Sequence, residues 1–114
     1  MKIQYHNDQI RVRLTSAEVE ALTLGRAVEH AVRFGAEPGV GHAWRVERDE
    51  RLAQGVPIRL DFEEGVACMR LAAELVTGMH EEHTIGQEVS QPVEGSAALR
   101  ILVERDLKPR RGRE

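Results

Sequence analysis

One cysteine, four prolines and four aromatic residues in a chain of 114 residues define this protein first by what it lacks. With Cys68 alone, no internal disulfide can form, and its place in an apolar, strand-like segment predicts a buried small hydrophobe and not a reactive thiol. An aromatic fraction of 4% leaves the core to Val, Leu, Ile and Ala. Uninterrupted apolar runs are only a few residues long, too short to cross a bilayer as a helix. The opening Met1-Lys2-Ile3-Gln4-Tyr5 has no signal-peptide hydrophobic stretch, which predicts a cytoplasmic protein without a membrane partner. No Ser-His-Asp order, phosphate loop, dinucleotide fingerprint or cysteine pair is present, so no cofactor and no catalytic residue is expected.

What is present is ordinary globular composition, 41% hydrophobic and 31% charged, long enough for one domain with its own core. The net charge of -3 hides a split. Lys108, Arg110, Arg111 and Arg113 outnumber Glu114 in the last eight residues, while the remainder is acidic. An acidic body repels the phosphate backbone, so nucleic-acid contact is expected only weakly, through the basic tail. Residues 1–106 thus read as a single α+β domain and 107–114 as a flexible basic tail.

The alternation of Ile10, Val12 and Leu14 with Arg11 and Arg13 is the period-two pattern of a half-buried strand. It runs directly into Thr15 and Glu18, spaced as a reciprocal capping box for a helix over about 16–24 that carries Val19, Leu22 and Leu24 and stops at Gly25. Lys2 to His6 forms a hairpin with that strand around Asn7-Asp8. Alternation continues in Ala27 to Phe34, in His42 to Arg48 with Trp44 as the largest apolar contact, and in a hairpin of Ile58 to Phe62 with Val66 to Leu71. Leu75, Val76 and Met79 predict a second short helix over about 72–80, weakened by Gly78. Thr84 to Ser90 and Ala97 to Arg105 complete seven or eight short strands. Connections this short exclude a doubly wound parallel sheet and predict a mainly antiparallel sandwich or partly open barrel, with no internal repeat apparent.

Two constellations carry chemistry. Arg11, Arg13, Arg45, Arg59 and Arg100 fall on solvent faces of strands; converging on one concave sheet they would bind a phosphorylated or other anionic small molecule, with Glu104 or Asp61 as acid-base partners. The plainer reading is a ladder of cross-strand ion pairs with Glu29, Glu47, Asp61 and Glu104. His80 and His83, three apart where the second helix ends, could hold a divalent metal, although their spacing is not that of the zinc proteases. His30 and His42 would approach each other if their strands pair.

Ile10 to Thr15 with Glu18-Val19, together with Leu99 to Asp106, resembles an uncharacterised family of small bacterial cytoplasmic proteins across nearly the whole chain. In that family the last strand is followed by an aromatic residue and a cysteine; here Leu107 stands in place of the aromatic and no cysteine follows. The resemblance implies the fold and a bacterial origin and transfers no activity. The function expected from the sequence is association, as a homodimer or with a protein partner, through an exposed sheet edge or apolar face.

Overall fold

The computed structural model describes residues 1–33, 35, 41–52, 55–93 and 98–106. Ten elements follow one another: β1 (Lys2–His6), β2 (Gln9–Leu14), α1 (Ser16–Thr23), β3 (Val28–Arg33), β4 (Gly41–Arg48), β5 (Ile58–Glu63), β6 (Val66–Leu71), α2 (Ala73–His80), β7 (Gly86–Gln91) and β8 (Leu99–Arg105). The local signals act as expected. Asn7 takes a left-handed φ of 52° at the first hairpin turn, and Thr15 Oγ1 accepts from the Glu18 N–H while Glu18 Oε1 accepts from the Thr15 N–H. Gly25 ends α1 at φ 80°. Leu24 departs from expectation: it is 62% exposed, because α1 ends at Thr23 and Leu24 belongs to the cap.

The strands form two four-stranded sheets, ordered β1-β2-β8-β7 and β3-β4-β6-β5. Hairpin pairs are antiparallel, whereas the central pairs β2–β8 and β4–β6 are parallel. The α+β class with mainly antiparallel pairing holds, as an open two-sheet arrangement and not a closed barrel. Inner faces of both sheets and the buried sides of both helices meet in one core, with Val12, Leu14, Ile101 and Val103 from the first sheet and Trp44, Val46, Met69 and Leu71 from the second. Val19, Leu22, Val76 and Met79 complete it from helices that pack on each other. No described helix is long and apolar enough to cross a membrane.

An internal repeat is present, contrary to the sequence reading. Val46-Glu47-Arg48-Asp49 recurs as Val103-Glu104-Arg105-Asp106, and at the same separation Arg13-Leu14 recurs as Arg70-Leu71 and Val19 as Val76. The backbone repeats with it: Lys2 opposes Arg13 as Arg59 opposes Arg70, and Leu14 opposes Arg105 as Leu71 opposes Arg48. Hydrogen bonds repeat too, Asp49 N–H to the Leu71 carbonyl at 2.9 Å and Asp106 N–H to the Leu14 carbonyl at 2.7 Å. The chain is therefore two ββαββ units that exchange hairpins, each sheet combining one hairpin from each unit. Separation in sequence and low identity hide the repeat; shared pairing geometry exposes it.

Candidate functional site

The repeated segment assigns several arginines to architecture. Glu104 accepts from Arg11 Nε at 2.8 Å and Arg13 Nε at 3.0 Å, and its counterpart Glu47 accepts from Arg45 Nε at 3.0 Å and lies 3.5 Å from Arg70 Nε. Arg13 and Arg70 are equivalent positions, so the Arg13–Glu104 and Arg70–Glu47 pairs are one feature made twice. Burial works against the charged form of Glu104, and hydrogen bonds from Arg11 and Arg13 outweigh it, holding the carboxyl below its ordinary pKa. Arg48 donates to the Thr23 carbonyl at 2.8 Å, meeting an acceptor at the end of α1.

The five arginines singled out in the sequence do not share one surface. Arg11, Arg13 and Arg100 belong to the first sheet, Arg45 and Arg59 to the second. Each meets carboxylate: Arg45 pairs with Glu29 as well as Glu47, Arg59 lies 3.2 Å from Asp61, and Arg100 lies 3.8 Å from Glu88. Hydrogen bonding to Glu47, and then to Glu29, raises the Arg45 pKa and fixes its charge, which removes it as a proton carrier.

A basin of about 470 Å³ does gather guanidinium groups, but from a different set: Arg48, Arg51 and Arg70 join Arg45 beside Glu47 and Asp49. Strand alternation does not single out these three, because it identifies a face and not which neighbouring strand supplies its companions. Glu29, Glu50 and Asp61 also pair with these arginines, so carboxylates match guanidinium groups throughout. Cys68 lies within the same outer face, opposite Arg45 and Asp61. It is half-buried among ion pairs and not in the core, since Ala67 and Met69 take the inward positions. Burial, then Glu47, pushes its thiol pKa up. A second cavity, about 540 Å³, opens between residues 55–57 and the start of α2, with Glu50 and Glu74 on its wall.

His80 closes α2 and His83 lies beyond it, 75% exposed, with Nδ1 3.7 Å from Glu81. Among the described residues no three His, Cys, Asp or Glu side chains stand together as a metal site. His30 and His42 do share a face of paired strands, His30 opposite Trp44 and His42 opposite Val32.

That face leaves several large side chains uncovered among the described residues. Trp44 is buried and donates from Nε1 to Tyr5 Oη at 3.0 Å. His42 stacks on Phe62 with centroids 5.6 Å apart and meets the edge of Trp44 at 6.2 Å. The outer rings stay uncovered, Tyr5 at 60% and Phe62 at 64% exposure, and Val32 beside them is 45% exposed. Tyr5 and Phe62 are equivalent residues of the two units, each two positions before its hairpin turn. Period-two alternation places these rings on inward faces, but not past the point where the opposite sheet stops covering them. β3 shares this exposure: Glu29, His30, Ala31 and Val32 are all exposed, on both of its faces, and among the described strands none pairs with its outer edge.

No curated protein matches the chain. A family model, DUF7009, described as a family of unknown function, matches residues 1–112, nearly the whole chain and both of its units. The protein belongs to that family.

Proposed function

We propose that this protein acts by association, forming a homodimer through the uncovered side of its second sheet, and not by catalysis. The observation that carries this reading is β3, an edge strand exposed on both faces beside the uncovered rings of Tyr5 and Phe62. An unpaired edge offers a row of N–H and C=O groups that another strand satisfies, and burying adjacent apolar side chains adds a driving force of about 25 cal/mol per Å². The charged faces do not compete as sites, since their arginines are already matched by carboxylates.

Native mass spectrometry and sedimentation over a wide concentration range test this directly. The expected species has twice the 12.8 kDa chain mass and dissociates on dilution. A monomer at every concentration defeats the proposal. The same spectrum of protein purified without chelator reports any retained metal or anion, which would turn attention to His80 and His83 or to the arginine basin.

A further inference from the structure

We propose that Gln91 is a built-in clasp: its side-chain amide stands in for a neighbouring strand at β5, tying this edge of the second sheet to β7 of the first and closing it to strand addition by another chain. This goes beyond the association proposed above and does not depend on it.

The geometry is that of a paired strand residue. Gln91 donates from Nε2 to the Leu60 carbonyl at 2.7 Å and accepts at Oε1 from the Leu60 N–H at 3.0 Å. In an antiparallel ladder, alternate residues turn both backbone groups toward the partner and the others turn both away. The Ala72 N–H donates to the Pro57 carbonyl at 2.9 Å, on the side where β6 pairs with β5, so Ile58, Leu60 and Phe62 present their groups to the outer edge. Leu60 is the middle one of the three, where an added strand would anchor. The clasp itself is held in place, because Gln91 lies in β7 opposite Leu99 of β8.

Among the described residues, hydrogen bonds join strands of the two sheets at two places: Trp44 Nε1 donates to Tyr5 Oη at 3.0 Å, and Gln91 meets Leu60. The first links two side chains. The second occupies backbone, so a strand arriving at β5 has to break two hydrogen bonds for the two it makes there, and its net gain at that point is close to zero. Side-chain chemistry fits the role: a primary amide carries a donor and an acceptor side by side, as the two groups of Leu60 require, whereas a carboxylate carries acceptors only. Both partners are withdrawn from solvent, Leu60 buried and Gln91 half-buried, so water is a poor substitute for the amide.

Amide hydrogen exchange on the full-length protein reads the clasp, and sedimentation velocity reads the closed edge. In Gln91→Ala the Leu60 amide is expected to lose protection by about tenfold or more while amides of β6 and β8 keep theirs, and species larger than those of wild type are expected at the same concentration. Gln91→Glu keeps the shape of the side chain. It is expected to lose Leu60 protection at neutral pH and to regain it as pH falls through the ordinary carboxyl value of about 4.3, where the protonated group again offers a donor and an acceptor. Gln87→Ala, exposed on the same strand, is expected to match wild type in both measurements. Unchanged Leu60 protection in Gln91→Ala overturns the clasp. Lost protection with a wild-type size distribution overturns the closing of the edge, and a loss in Gln91→Glu that does not respond to pH overturns the amide pairing as its cause.

Discussion

Glu104 shows at the scale of one residue how this fold uses charge. It receives two guanidinium groups on one carboxylate, and its pKa is held below the ordinary 4.5 because those hydrogen bonds outweigh burial. A depressed carboxyl pKa contributes stability that is complete above the unfolded value and fades as pH falls through the folded one. Glu104→Gln is therefore expected to lose about 1 kcal/mol at neutral pH, and the gap from wild type should narrow as the pH falls through the lowered pKa of the folded carboxyl in urea titrations run across pH. Gly86 is constrained by space. A Cβ there would lie 2.5 Å from the Val103 carbonyl oxygen and 3.0 Å from Glu104 Cα, both backbone atoms of a paired strand that cannot retreat without opening the ladder. Gly86→Ala should cost about 1–3 kcal/mol by denaturant unfolding. The ion pairing of Arg11, Arg13 and Arg59 on solvent faces was legible in kind, although Arg59 meets Asp61 of its own strand and not a cross-strand carboxylate. Cys68 was misread because both neighbours are apolar and the segment suits either face until the register of β6 against β4 and β5 fixes it.

Among elements, comparison of the two helices isolates what a cap contributes. Both follow an inward leucine of a hairpin, but α1 starts from Thr15 with its reciprocal Glu18, while α2 starts from Ala72, which makes no side-chain cap. Ala72 has the extended conformation of an N-cap, φ -63° and ψ 147°. Ala72→Thr should therefore raise stability by about 0.5–1 kcal/mol, read as a higher melting temperature with unchanged secondary structure. The helices and strands were legible because hydrophobic period, caps and left-handed turn residues are local signals. Strand direction was not: the parallel β2–β8 and β4–β6 pairs join segments far apart in the chain, and alternation is the same in parallel and antiparallel partners.

At the scale of the whole molecule, hairpin exchange ties the two units together, since neither unit contains a complete sheet. Unfolding is expected to be a single cooperative transition, and for a dimer its midpoint should rise with protein concentration, which calorimetry at two concentrations checks. The Val-Glu-Arg-Asp repeat serves this assembly, placing a core valine, an arginine-bound glutamate and a backbone bridge at each parallel seam. Residues outside that repeat, Ala31 and Val32 on β3 and the rings of Tyr5 and Phe62, are exposed. By itself the sequence determined the elements, their caps and the inward or outward sense of most side chains, because each depends on a few adjacent residues. Only the tertiary structure decided which strands pair, that the halves are one motif repeated, and which strands lie at the sheet edges, because those depend on contacts between residues that the chain order keeps apart.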